Sequence, residues 1–520
     1  MILPRFDRSR SRRPAAFATF AALAAFGVFA ILAPAARAAA GRAPTAVPGE
    51  APVAGAPERL IGRLLGPTPA AEDLRFLCDR IGGRPTGGAA NDRAVDWFAQ
   101  RFREAGLVHV ATEPAPIPRR WEETAARASV IAPEPRMLHV VAMPSSPPTP
   151  AGGLEAPVVD VGEGDAAAFE RAGTRARGAL LLVGSKVLAT FEDLFADYLR
   201  LPPILERARA AGASGLLFVG GRADNVLYRH VASMNLKPAP LPIAIVAREE
   251  GLRLQRLAQT GPARLRLELD LVDGPAYTAR NVVAEIPGSD LKSEIVVAGA
   301  HVDSWDLGAG ALDNGANCVL LLDVARQMRA LGLQPRRTIR FVLFNGEEQG
   351  MFGSWDYVRA HRAEMDRHAA MVTVDTGTGR ITGFSLGGRP DLRLEVAAAL
   401  APAAGFDAGL LTTDAFVGTD NFDFLLEGIP NLVANQDPAG YMESYHASTD
   451  TYDKADLAML HANAAVTGTL IWGLANAPDR ARRQDRATIQ ALLDATGLAE
   501  QMRTFDLDDD WVAKRRGRAD

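Results

Sequence analysis

Cysteine is almost missing from this chain: Cys78 and Cys318 are the only two in 520 residues. A pair so distant in sequence supplies no disulfide framework, and two separate buried thiols are expected. Excess charge of one sign is missing too. Fifty-seven basic residues face 62 acidic ones, a formal net charge of −5, so no cationic field invites nucleic acid and none is expected as a partner. No segment repeats at a fixed period, which removes solenoids and propellers. Beyond the first 40 residues no run reads as a membrane span, so the only membrane contact expected is an N-terminal anchor that escapes cleavage.

The first 40 residues differ from the rest. Arg5, Arg8, Arg10, Arg12 and Arg13 make a basic start, an Ala/Phe/Leu-rich run fills 15–33, and Pro34-Ala35-Ala36-Arg37-Ala38-Ala39 supplies small residues of the A-x-A kind. This is the layout of a secretory signal peptide over 1–38, and it predicts a periplasmic or extracellular protein. An Ala/Pro/Gly-rich linker, 39–56, follows.

The length calls for more than one core. Helical spacing is read over 72–80 and 91–105, with a turn at Arg84-Pro85-Thr86-Gly87-Gly88. Over 136–272 short β-like runs (156–161, 178–183, 215–219, 242–246) surround one helical run at 203–211, and 264–272 alternates as a closing strand. From 279 onward apolar strands at 282–286, 294–299, 338–344 and 371–374 alternate with helical stretches at 318–331 and 351–362. Such alternation predicts an α/β sandwich with a mostly parallel central sheet, interrupted by a compact inserted domain. The catalytic domain is expected over 57–135 and 273–476, the insert over 136–272, and a charged C-terminal tail over 477–520, mobile apart from a helix at 492–505.

Four polar clusters follow predicted strands, where ligands of such sheets collect. They are His301-Val302-Asp303 with the glycine-rich run to Asp313-Asn314-Gly315; Glu347-Glu348; Asp375; and Tyr445-His446. Two divalent ions about 3.5–4 Å apart need an anionic oxygen between them, imidazoles outside, and a free carboxylate to accept a proton from water. Each cluster alone has an ordinary explanation: His-x-Asp is common, paired glutamates sit on solvated helices, and a lone Asp caps a helix. All four together, each at a strand end, do not. Only two of the chain's eight histidines lie in these clusters.

With these residues in place the chain resembles the clan MH zinc exopeptidases, and within them the carboxypeptidase Q branch. The resemblance runs over about 60–475 and includes the Gly82-Gly83-Arg84-Pro85-Thr86-Gly87 turn, the Trp121 segment, Ser304-Trp305-Asp306 and Gly418-Thr419-Asp420. It implies a three-layer α/β/α zinc-exopeptidase sandwich, two zinc ions per chain, a peptide substrate and a homodimer. It implies His301 and Asp375 on one zinc, Glu348 and His446 on the other, and Asp313 bridging, with a cis bond to Asn314. Glu347 is then the general base and Asp303 the residue that orients His301. The insert matches the position of a protease-associated, lid-like domain. Asp420 is a candidate for the substrate's α-amine, and Tyr441 or Tyr445 for the oxyanion. The resemblance favours a dipeptidase, with an aminopeptidase on the same site as the alternative. The departures are Asn314, where the branch has an acid, and the tyrosines before His446, which bear on substrate preference.

Two readings of other classes compete. Gly383-Phe384-Ser385-Leu386-Gly387 matches G-x-S-x-G, with Asp420 and His446 following in triad order, but Gly388-Arg389-Pro390 stands where a nucleophile elbow needs a helix. A receptor-like binding protein on the same fold would have lost its ligands, and here all are present.

Overall fold

A computed structural model describes residues 55–438 and 440–520. The expected signal peptide and nearly all of the linker lie outside the described residues. Both cysteines are buried and unpaired.

Two eight-stranded sheets organise the chain. The first runs, edge to edge, Val108–Ile117, Tyr277–Ile286, Arg337–Phe344, Leu291–His301, His368–Thr373, Asn431–Gln436, Ile381–Ser385 and Leu410–Thr412. Its centre, from Arg337–Phe344 through Asn431–Gln436, is parallel. Toward the edges Val108–Ile117 and Tyr277–Ile286 pair antiparallel, and Ile381–Ser385 runs antiparallel to Asn431–Gln436 but parallel to Leu410–Thr412, so the sheet is mixed around a parallel centre. The central strands are covered on both faces, and Arg337–Phe344 and His368–Thr373 are buried at every position, the polar Arg337 and Arg340 included.

Helices Ala316–Ala330, Ala89–Glu104 and Leu457–Asn476 share one core cluster with that sheet. Ala89–Glu104 turns Ala94, Val95, Phe98 and Phe102 inward at helical spacing. Leu457–Asn476 is long and apolar enough to cross a membrane by length and composition. It packs against Ala56–Leu64, Arg393–Leu400 and Ala316–Ala330, and this all-round burial accounts for its uniform apolarity.

The second sheet runs Arg136–Leu138, Arg120–Ala132, Arg264–Gly274, Leu154–Asp160, Leu180–Val183, Gly215–Val219, Ile243–Val246 and Val140–Ala142. It takes in Arg120–Ala132, ahead of residue 136, through a long antiparallel ladder with Arg264–Gly274. The helix read at 203–211 begins at Phe191, where Thr190 and Asp193 form a capping box, and continues through Pro202 and Pro203.

The C-terminal segment is helical beyond 492–505. Arg486–Thr496, Leu498–Thr504 and Asp508–Val512 bury Leu493, Leu498, Met502 and Trp511 against Phe422, Leu425 and Leu426. Arg516 is 1% exposed and forms a forked pair with Asp423 at 2.7 and 2.9 Å. The expectation of a mobile tail is therefore corrected. Arg516 and Arg483 reach the distant acids Asp423 and Glu427, which sequence proximity does not reveal.

Candidate metal centre

Strand Leu291–His301 ends on its own candidate ligand. Its parallel neighbour His368–Thr373 delivers Asp375 two residues beyond its end, and His301 Nε2 lies 2.9 Å from Asp375 Oδ1. The chain then turns through Gly310 at a left-handed φ of 60°, where an added Cβ would collide with the Ser304 side chain. Asp313 follows, with a cis bond to Asn314. Its Oδ1 is 3.2 Å from His301 Nε2 and its Oδ2 is 3.5 Å from His446 Nε2. His446 Nε2 in turn lies 2.8 Å from Glu348 Oε2. Two groups result, His301–Asp313–Asp375 and Asp313–Glu348–His446, each with ligand atoms within 4.8 Å of one another and with Asp313 common to both.

Glu347 is buried beside them, its Oε2 4.0 Å from His301 Nε2. Asp303 reaches His301 Nδ1 through its main-chain carbonyl at 3.1 Å, while its carboxylate stands 3.7 Å away. That carboxylate instead accepts from the Glu347 and Glu348 amides, each at 3.3 Å, and from the Thr86 hydroxyl at 3.0 Å. Asp303 thus ties the glutamate turn to the His301 strand.

Charges are crowded here. Burial raises the Glu347 carboxyl well above its usual range, His301 opposing and Asp375, Asp420 and Glu348 adding to the rise. Glu348 is likewise driven up by burial and by Asp313. Burial works against ionisation of Asp313 as well, yet His301 and His446 hold it below the usual range. The two imidazoles move oppositely. Burial works against protonation of both. Asp375, Asp303 and Asp313 lift His301 well above its ordinary value, whereas burial lowers His446 to about 4.

The donor set fits divalent zinc: imidazole nitrogens and carboxylates in two tight groups with a shared acid. Asp313 Oδ2 and Glu348 Oε1 are buried without hydrogen-bond partners, as oxygens awaiting a cation are.

Several supporting residues carried no sequence signal for their roles. Asp450 accepts from the Leu312 amide at 2.7 Å and the Asp313 amide at 3.1 Å, fixing the shared acid. Arg84, in the early glycine turn, spreads its guanidinium over the carbonyls of Val302, Ala309 and Gly310 at 2.7–2.9 Å, clamping the loop between His301 and Asp313. Arg229, from the loop after Gly215–Val219, forks onto Asp306 at 2.9 and 2.8 Å and reaches Glu123 at 2.7 Å, with its guanidinium 5.7 Å from the Trp121 ring centre. The Trp121 and Ser304-Trp305-Asp306 segments therefore meet at one buried arginine.

Of the substrate candidates, Asp420 is fully buried with both carboxylate oxygens unpartnered, while neighbouring Ser354 donates to Asp423 at 2.9 Å. Tyr441 donates to the Asp375 carbonyl at 3.4 Å, beside the ligand groups. Tyr445 stacks on the His446 ring at 3.7 Å and shares a 3.3 Å hydrogen bond with Tyr198. Ser385 is buried at a strand end, its hydroxyl donating to the Asp414 carbonyl at 2.6 Å. The ring nitrogens of His446 are engaged with Glu348 and the Arg229 carbonyl. The chain has no serine-hydrolase elbow at this position.

A mixed α/β sheet with paired His–carboxylate groups beyond its parallel strands is the architecture of a metal-dependent hydrolase. Residues 281–471 match the model of peptidase family M28. Mouse carboxypeptidase Q is 28% identical over 414 residues, 78% of this chain and 85% of the mouse protein. Aminopeptidase YwaD of Bacillus subtilis is 26% identical over 66% of this chain and 70% of its own length. The crystal structure of a peptidase M28 precursor from Shewanella amazonensis superposes with a TM-score of 0.75 at 26% identity, covering 82% of this chain and 98% of that one. By these likenesses the chain resembles the M28 metallopeptidases, carboxypeptidase and aminopeptidase relatives among them.

Proposed function

We propose that this chain is an exported dipeptidase with two zinc ions. His301 and Asp375 would hold one ion and Glu348 and His446 the other, with Asp313 available to both. The observation that carries this reading is the pair of three-ligand groups with Asp313 in common. Zinc bound by these residues would supply Lewis-acid chemistry to the site. Glu347 takes a proton from the attacking water as its oxygen bonds to the carbonyl carbon. It returns that proton to the amide nitrogen as the C–N bond breaks, releasing one acid and one amine. Asp303 positions the Glu347–Glu348 turn, and its main-chain carbonyl fixes the His301 tautomer. Tyr441, next to Asp375, donates to the developing oxyanion, and Tyr445 packs the His446 ring. Asp420, unpaired among acidic neighbours, receives the substrate's α-amine.

The residues around the second sheet, expected over 136–272, serve as a lid-like domain over this site, an assignment supported by the Arg229 loop pairing directly with the His446 segment. Export is supported by the basic, apolar, small-residue order of residues 1–38. A homodimer rests on the family resemblance. The Bacillus aminopeptidase relative supports the second reading, removal of N-terminal residues from longer peptides on the same residues.

The test is a zinc count on protein beginning near Ala39, with assays on free dipeptides, N-blocked dipeptides and aminoacyl-anilides before chelation, after it, and after zinc is returned. About two zincs per chain with hydrolysis of free dipeptides alone supports the proposal. Cleaved anilides move the activity to aminopeptidase. One zinc per chain refutes the shared-acid assignment.

A further inference from the structure

Arg222 is a buried cation without an anion. It lies in the loop after strand Gly215–Val219 and is 4% exposed. Its Nη1 donates to the Leu188 carbonyl at 2.5 Å, whereas Nε and Nη2 have no hydrogen-bond partner. Its main electrostatic neighbours are the phenols of Tyr228, Tyr445, Tyr198 and Tyr441, with no carboxylate among them. Other buried arginines are saturated. Arg229 pairs with two acids, Arg516 with Asp423, Arg337 with Glu294, and Arg84 binds four carbonyls. A guanidinium does not escape burial by losing its proton, so an idle fork keeps the full desolvation cost unless a ligand completes it.

The loop's position says which ligand. Residues 227–229 zip onto the segment bearing His446: the Arg229 amide donates to the His446 carbonyl at 2.9 Å and the Ser448 amide to the Leu227 carbonyl at 2.9 Å. Arg222 sits at the base of that zipper, 5.2 Å from the Tyr228 ring centre, while the Tyr228 hydroxyl accepts from the Gly221 amide at 3.2 Å. Tyr445, another neighbour of Arg222, stacks on His446 itself. The cation thus stands on the His446 side of the ligand groups. The unpaired acid Asp420 interacts with the His301–Asp375 side. Opposite unsatisfied charges flanking a hydrolytic centre match a short zwitterion, and a planar fork matches a carboxylate.

We propose that Arg222 receives the free α-carboxylate of the substrate, so that the second sheet's loop restricts the enzyme to free dipeptides. This rests on the peptidase reading above, and two measurements separate their failures. Turnover of alanyl-leucine and alanyl-leucinamide by the zinc-loaded protein reads the activity. Calorimetric titration of the same two compounds into Glu347→Gln, with and without Arg222→Met, reads binding without turnover. Arg222→Met is expected to weaken alanyl-leucine binding on the order of 100-fold, to leave the amide within about threefold, and to leave Tm unchanged or raised because an unpaired buried charge is gone. Arg222→Lys should recover part of the binding. Arg222-dependent binding without turnover would overturn the dipeptidase and keep the carboxylate site. Turnover with a preference for the free dipeptide that survives Arg222→Met overturns the Arg222 assignment alone. Equal binding of dipeptide and amide by the parent protein also overturns it, as does Arg222-dependent binding of the α-amide of alanyl-glutamate. A lowered Tm with the dipeptide preference intact shows the arginine to be structural.

Discussion

The two halves of the ligand cluster are built differently. His301 and Asp375 sit at the ends of adjacent parallel strands, so the ladder that pairs Val297 with Met371 and Gly299 with Thr373 brings them together. Glu348 and His446 come from a turn and a loop. Glu348 is placed by the Asp303 carboxylate, and His446, at a φ of 55°, is held by main-chain bonds to residues around the second sheet. The first half inherits its geometry from sheet register. The second depends on two regions docking, with Arg229 joining them. The contrast in the two histidines follows: four carboxyl groups stand within 4.0 Å of the His301 ring nitrogens, while His446 has two, Glu348 at 2.8 Å and Asp313 at 3.5 Å from Nε2, with a carbonyl on its Nδ1.

Five changes would break or sharpen this comparison. The largest effect is expected from Glu347→Gln, which leaves both halves intact and removes the proton shuttle. Turnover should fall roughly 10³-fold with zinc content unchanged, and normal turnover in that variant would rule Glu347 out as the base. Next come the buried arginines, read by urea unfolding. Arg516→Met strands Asp423 and should cost about 3–5 kcal/mol. Arg229→Met should cost less, about 2–3 kcal/mol, because Asp306 keeps some contact with water. Arg229→Met should also loosen the His446 half, so that zinc titration shows one weakened site beside one near its parent affinity; equal weakening of both would deny the separation. A zinc count sharpens it further. His446→Ala should retain about one ion per chain and Asp313→Ala fewer than one, since only Asp313 serves both groups.

The smallest effect concerns acid, away from the ligands. His368 is buried, with Nδ1 against the Glu364 carbonyl at 3.0 Å and Nε2 against the Tyr357 hydroxyl at 3.2 Å. Burial lowers its pKa to about 3. Unfolded, it titrates near 6.5. Between these values the unfolded chain binds the proton and the folded chain does not, so stability is full above about 6.5 and falls as pH drops toward 3. The slope near pH 5 should be about 1 kcal/mol per unit, and His368→Asn should flatten it in unfolding curves taken between pH 5 and 7. An unchanged slope would exclude His368 as its source.

The strand-borne half was the more legible in the sequence. Apolar runs end at His301 and shortly before Asp375, and most strands of both sheets fall within a few residues of the apolar runs. Val108–Ile117, at the edge of the first sheet, and Arg120–Ala132, one strand in from the edge of the second, are not legible because proline, arginine and glutamate interrupt their alternation. The C-terminal segment escaped because charge reads as solvation, and nothing local says that Arg516 has a buried aspartate waiting. Glu348 and His446 were found by their company, while the carbonyl and amide groups that aim them left no trace in side-chain identity.

By itself the sequence determined the residue types, their order at strand ends and the apolar periods that make a mixed α/β protein, because each of these is local. Only the tertiary structure decided that Asp313 serves both groups, that Asp303 holds the glutamate turn, that Arg229 joins the two regions, and that Arg222 is left without an anion. Those facts depend on distances between segments tens to hundreds of residues apart. Such distances are set by how two sheets and a C-terminal segment pack, which no spacing along the chain records.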